Sequence, residues 1–158
     1  MPKFITKAGL LELQAEYQEI LNVKIPENLS TLNSALAQGD LSENAERDAA
    51  LVDQGRLQTR TQEIEEILND YELIDENAVA KSKTVIVGSL VKLSYSDRDE
   101  VYEVKIMGSS EADILSPIPK ISNESPLGQA ILGKASGASV EFRVKHRTLK
   151  VKILEILE

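Results

Sequence analysis

The sequence predicts an α+β fold in two parts: an N-terminal antiparallel helical hairpin, read as a coiled coil, then a small antiparallel sheet domain with one short helix. Three observations carry this. Through about residue 75 the apolar residues recur mostly every three or four positions, the period of one helix face. Beyond it they alternate with polar residues in short runs, the period of a strand. Between the two long helical runs stands Gly39-Asp40-Leu41-Ser42-Glu43-Asn44-Ala45-Glu46-Arg47-Asp48, where a glycine and a polar cluster suit the end of one helix and the start of the next. The expected division is an arm at 1–75, with its acidic tip at 39–48, and a domain at 76–158.

In order, Thr6 is a candidate N-cap for a first helix in which Leu10, Leu13, Tyr17, Ile20, Leu21, Leu29, Leu32 and Leu36 form a narrow stripe. Polar neighbours such as Glu12, Gln14, Glu16, Gln18 and Glu19 leave it too thin for a core helix, so it suits a coiled-coil seam. Pro26 lacks an N–H and should bend or split the helix near 24–27. Gly39 then ends it. Asp40 suits an N-cap with Glu43 three residues on in a capping box, and the same spacing sets two carboxylates on one helix face. Ala45, Ala49, Val52, Leu57, Ile64, Ile67, Leu68 and Tyr71 give the returning stripe, weakened at Gly55. A tight turn between two long helices makes them antiparallel, an arm on the order of 45–50 Å long.

After a linker and β-prone run at 78–87, a strand is expected at 90–95, a polar turn at 96–100 and a hairpin partner at 101–107. The stretch 110–120, with Pro117 and Pro119, reads as irregular. Ser125-Pro126 opens a short helix running to Gly133. Two alternating runs, at 140–144 and 149–153 around a turn at 145–148, complete the sheet.

Composition narrows the function. The chain has 158 residues, 42% hydrophobic and 28% charged, a globular balance. Without cysteine it has no disulfide, thiolate metal site or thiol nucleophile. No long apolar run or signal-like N-terminus stands out, so a cytoplasmic location is expected; the chain is also expected to act as a monomer. The net charge is −8, with 6 Lys/Arg against 15 Asp/Glu in residues 1–75 and 12 against 11 in residues 76–158. That sign disfavours independent nucleic-acid binding and favours a protein partner. His146, the one histidine, lies in a turn, which leaves a triad or histidine metal cluster unsupported. Lys145, Arg147, Lys150 and Lys152 read as a solvated strand face. Gly133 and Gly137 precede a strand, so they form no phosphate loop. No self-contained active site is visible.

The stretch Gly39–Glu46, followed by Ala49-Ala50 and Gln54, closely resembles the tip motif of bacterial Gre transcript cleavage factors. Ser125-Pro126-Leu127-Gly128 with Ala130, Leu132, Gly133 and Lys134 resembles the family's C-terminal motif. The resemblance implies a C-terminal domain similar to the FK506-binding-protein fold that docks on bacterial RNA polymerase through Glu124, Ser125 and Pro126, at the rim of the secondary channel. It implies that the arm enters the channel and that Asp40 and Glu43 help hold a second Mg²⁺ and the attacking water in the polymerase active centre. The polymerase then cuts the displaced 3′ end of backtracked nascent RNA. The chain would be a cofactor of that cleavage, without an enzymatic site or bound cofactor of its own, since two carboxylates hold Mg²⁺ only weakly. Three positions depart from the family pattern. Leu36 and Leu51 stand where a basic residue is common, and Arg47, close to the RNA by the same resemblance, stands where a tyrosine is usual. A binder that occupies the channel without stimulating cleavage is therefore the alternative. A prolyl isomerase is disfavoured, because residues 76–158 offer only Tyr95, Tyr102 and Phe142 for an aromatic pocket.

Overall fold

The computed structural model describes residues 2–37, 44–98 and 100–157. They form two units, one of residues 8–70 and one that joins residues 1–7 to residues 71–158. The division expected at 75/76 therefore shifts, because the N-terminal residues belong with the sheet.

The helical unit holds α1 (Lys7–Glu19), a single π-helical turn (Ile20–Lys24), α2 (Ile25–Ala37) and α3 (Ala45–Asn69). Pro26 explains the π turn. It cannot donate to Asn22, and the chain widens just before it so that the Ile25 N–H bonds to the Ile20 carbonyl, five residues back. The predicted break is a change of helical pitch, and it moves the inward face by one residue. Leu10, Leu13 and Ile20 are buried as expected, but inward positions beyond the turn are Ile25, Asn28, Leu32 and Ala35, while Leu29 and Leu36 are each 46% exposed. On α3 the face runs through Ala50, Gln54, Leu57, Ile64 and Ile67; Ala45, Ala49, Val52 and Tyr71 of the expected stripe are exposed.

The helices run antiparallel, with polar cross-links along the seam. Arg60 donates two bonds to the Glu16 carboxylate (2.8 and 2.7 Å), the Tyr17 hydroxyl donates to Glu65 (2.9 Å), and Asn28 Nδ2 donates to the Ala50 carbonyl (2.9 Å). The bonded Arg60 guanidinium holds the Glu16 carboxyl below the usual carboxylate range. The pair thus contributes fully above the unfolded value of about 4.3 and fades as pH falls through the lower folded one. With both side chains more than a third exposed, that contribution is small.

The second unit begins with β1 (Lys3–Ile5), which pairs in parallel with β2 (Tyr71–Leu73). Thr6 then stands immediately before α1, its N–H and hydroxyl both donating to Glu111. A short helix α4 (Glu76–Lys81) occupies part of the expected linker, capped by the Asp75 carboxylate, which accepts from the N–H groups of Asn77 and Ala78. The main sheet contains β3 (Leu90–Tyr95), β4 (Val101–Met107), β5 (Lys120–Ser122), β6 (Ser139–Val144) and β7 (Arg147–Ile156) in the order β5-β4-β3-β7-β6. It is mixed where alternation alone predicts an antiparallel sheet, since β5 lies parallel to β4. That edge strand grows from the end of the segment expected to be irregular. Alternation places Val91, Leu93, Val104, Ile106, Val140, Phe142, Val151 and Ile153 on one face, and α5 (Pro126–Ile131) adds Ile131 to the same cluster. Fully burying each aliphatic side chain contributes roughly 1.5–3 kcal/mol. The last hairpin closes through Lys145-His146 alone, tighter than the expected four-residue turn, with Lys145 at φ 56.

Gly108 lets the backbone of β1 approach very closely. A Cβ there would lie 1.7 Å from the Phe4 carbonyl oxygen, whereas one at Gly55 in α3 meets nothing within 4 Å. Gly108→Ala should cost about 3 kcal/mol or more, the upper end of overpacking, because a backbone atom must move. Gly55→Ala should stabilise α3 by about 0.5–1 kcal/mol. Urea melts of the two variants against the parent check both signs.

Candidate functional site

Two regions carry the predicted functional residues. The first lies at the end of the helical hairpin. Asp40 and Glu43 fall outside the described residues, and so does the greater part of the connector. Its far side is described. Asn44, in extended conformation (φ −88, ψ 94), is the N-cap of α3, and its Oδ1 accepts from the Arg47 N–H at 3.0 Å. Its Nδ2 donates to the Ala35 carbonyl at 2.6 Å, near the C-terminus of α2. One side chain thus satisfies an orphan donor of α3 and ties that helix to a carbonyl in the last turn of α2. This corrects the expectation that Asp40 and Glu43 cap the second helix, which starts at Ala45 and not directly after Asp40. Asparagine ranks with aspartate as a cap, but the Asp40–Glu43 box spacing is the stronger pattern in the sequence.

Arg47 sits in the first turn of α3, its Nη2 3.2 Å from Asp48 Oδ1. Its Nε is buried and has no partner among the described residues. Leu36 and Leu51 are exposed at 46% and 45%. Among the described residues no group of three or more His, Cys, Asp or Glu side chains is arranged to hold a metal.

The second region is the loop entering α5. Ser125 is its N-cap, with Pro126 at the first helical position as the sequence predicts. The Ser125 hydroxyl accepts from the Gly128 N–H at 3.1 Å and donates to the Ser122 carbonyl at 2.6 Å. Glu124 projects beside it, about half exposed, with Lys3 Nζ at 3.0 and 3.1 Å from its two carboxylate oxygens. Glu124, Ser125 and Pro126 therefore form one contiguous, hydrogen-bonded surface. Sequence reasoning missed Lys3, because 121 positions separate the pair and tertiary packing of β1 against the sheet unit brings them together. Beside the loop an apolar cavity of about 590 Å³ is lined by Phe4, Leu73, Ile74, Val85, Val87 and Leu132 among others.

The comparisons with known proteins match both units. The family model for the N-terminal domain of transcription elongation factors covers residues 3–73, and the one for the GreA/GreB C-terminal domain covers residues 80–158. The chain belongs to the GreA/GreB family of transcription elongation factors. Among its relatives, transcription elongation factor GreA of Ureaplasma urealyticum is 40% identical over 154 residues, 98% of this chain and 97% of that one. GreA of Mycoplasma capricolum is 40% identical over 152 residues, 96% of each. Among solved structures, GreA factor homolog 1 of Thermus thermophilus aligns over the full length of both chains at 23% identity and a TM-score of 0.46.

For this family member the Asn44 bridge gives a direct test. Asn44→Ala should destabilise the hairpin by about 1–2 kcal/mol, since it removes the cap and the cross-link together. Asn44→Asp keeps the acceptor and loses the donor, so it should fall between. Hydrogen exchange at the Arg47 amide reads the cap directly and should accelerate in the alanine variant.

Proposed function

We propose that this elongation factor binds RNA polymerase through the Glu124-Ser125-Pro126 loop, inserts its helical hairpin into the secondary channel, and stimulates the polymerase's own cleavage of backtracked nascent RNA. The observation that carries the reading is the match of both family models, one over each unit, in a chain whose helical connector holds Asp40 and Glu43. The chemistry of that donor pair suits a hard divalent cation, as two carboxylates are typical Mg²⁺ ligands. They fill only part of an octahedral shell, so the polymerase must supply the rest. When bound there, a second Mg²⁺ would stabilise charge on the attacking and leaving oxygens. This chain's part is to deliver Asp40 and Glu43 and hold them still. It is an accessory factor in the cytoplasm, acting as a monomer.

Capping and metal recruitment are separable, because Asn44 caps α3. Asp40→Asn with Glu43→Gln should leave the melting temperature nearly unchanged, because asparagine and glutamine keep the size and hydrogen-bonding reach of the acids and remove only their charge. The double variant should compete with the parent for polymerase yet give almost no cleavage of stalled complexes at limiting Mg²⁺, with partial recovery as Mg²⁺ rises. Full cleavage by this variant at every Mg²⁺ concentration would sink the mechanism.

A second reading, channel occupancy without cleavage, is favoured by Leu36 and Leu51. Both are exposed on the hairpin, where apolar side chains cannot neutralise extruded RNA phosphates. Under the leading reading, Leu36→Arg with Leu51→Arg should raise cleavage of long extruded RNA about two- to fivefold, a modest gain because exposed charges are screened. A parent protein that competes for polymerase but releases no product, with the arginine variant equally silent, would establish the second reading instead.

A further inference from the structure

The last hairpin of the sheet holds charge that the proposed function does not use. Residues 139–152 contain five Lys/Arg and one Asp/Glu, a local +4 in a chain of −8. The five are Arg143, Lys145, Arg147, Lys150 and Lys152, every one of them exposed. Among the described residues none of these makes an ion pair, although Arg47, Arg56, Arg60 and Lys3 all do. The backbone fixes their spacing. Lys150 and Lys152 stand two residues apart on one face of β7, roughly 6.8 Å along the strand, while the Lys145-His146 turn sets Lys145 and Arg147 at the hairpin end. Arg143 is opposite Thr148 on the edge strand β6, and Glu141 is opposite Lys150.

We propose that the β6–β7 hairpin is a sequence-independent contact for the phosphodiester backbone of nucleic acid. Protein–protein interface cores are enriched in large aromatic residues and depleted in lysine, and the one Phe, Tyr or Trp of this hairpin, Phe142, is buried in the core, which leaves three lysines on its surface. What the surface offers is unpaired positive charge, as nucleic-acid interfaces do. The whole-chain charge does not describe this part of the sequence, because the acidic excess lies in residues 1–75, while residues 76–158 carry 12 Lys/Arg against 11 Asp/Glu. Binding of this kind is weak, non-specific and strongly salt-dependent.

The test uses the full chain with fluorescein-labelled 20-nucleotide RNA, single-stranded DNA and duplex DNA, read by anisotropy from 20 to 200 mM salt. Binding should appear at low salt and fall log-linearly with salt. Arg143→Gln, Arg147→Gln, Lys150→Gln and Lys152→Gln together should weaken it about tenfold or more and flatten the slope by roughly 0.7–0.9 for each phosphate no longer neutralised. Lys81→Gln with Lys83→Gln, exposed cations elsewhere in the same unit, should change neither. Circular dichroism and the melting temperature of each variant check that the sheet is intact. The three oligonucleotides distinguish an RNA from a DNA source. Absent binding at 20 mM salt, unchanged binding by the folded four-residue variant, or displacement by poly-glutamate as readily as by unlabelled oligonucleotide would each overturn the assignment, the last pointing to an acidic protein surface. None of these readouts depends on polymerase.

Discussion

The parallel pairing of β1 with β2 is the constraint on which the rest depends. Residues 3–5 and 71–73 are separated by the entire helical unit, yet Lys3, Phe4 and Ile5 lie in register with Tyr71, Glu72 and Leu73. The chain must leave the sheet unit and come back to the same place, which an out-and-back helical excursion achieves. The tie is reinforced by backbone fit. Gly108 leaves room for the Phe4 carbonyl, the Ile74 N–H bonds to Ile5, and Thr6 bonds to Glu111. The loop entering α5 shares this junction through the Lys3–Glu124 pair. Under the proposed reading, the surface that meets polymerase thus joins the first strand to a loop 121 positions further along the sequence.

The broad fold was legible because its two periods are physically distinct. Heptad-like spacing and strict alternation cannot be confused over runs as long as these, and the order of the elements follows. What was not legible had specific causes. The three residues of β1 and of β2 are too few to show alternation, and their pairing is set by the return of the hairpin. β5 hides between Pro119 and Asn123, where two nearby prolines speak for irregular chain. The inward face beyond the π turn moves by one residue, since a wide turn adds a position that periodicity counts as helical. Leu29 and Leu36 fall outside for that reason, and polar Asn28 falls inside. The cue is Pro26 itself, which signals an interruption without saying that the helix widens and does not break.

The candidate site was legible as chemistry more than as geometry. The acidic connector and the Ser125-Pro126 helix start are both short motifs whose local physics is visible in the sequence, and α5 begins where expected. Residue spacing points four positions too early for the cap of α3. Asp40 and Glu43 have the spacing of a capping box, but Asn44 can do what neither acid can, because its amide accepts from one helix and donates to the other.

Thinness governs how the hairpin is held together. Each helix is about 10–12 Å across, so two side by side with a one-residue-wide seam make about the slimmest helical element that can still hold a register. Such a seam has little apolar area to bury, and the described packing reflects that, with small Ala35 and Ala50 near the connector and Ile64 and Ile67 at the other end. Register then needs direction-specific bonds. Arg60 on Glu16, Tyr17 on Glu65, Asn28 on Ala50 and Asn44 on Ala35 occur at successive levels along the pair. Each is individually worth little in water. Together they forbid sliding, since a one-residue slip breaks all four at once. A hairpin widened by a third helix would gain core and lose the slimness that entry into a channel demands, so a polar-locked seam is the compromise consistent with the proposed role.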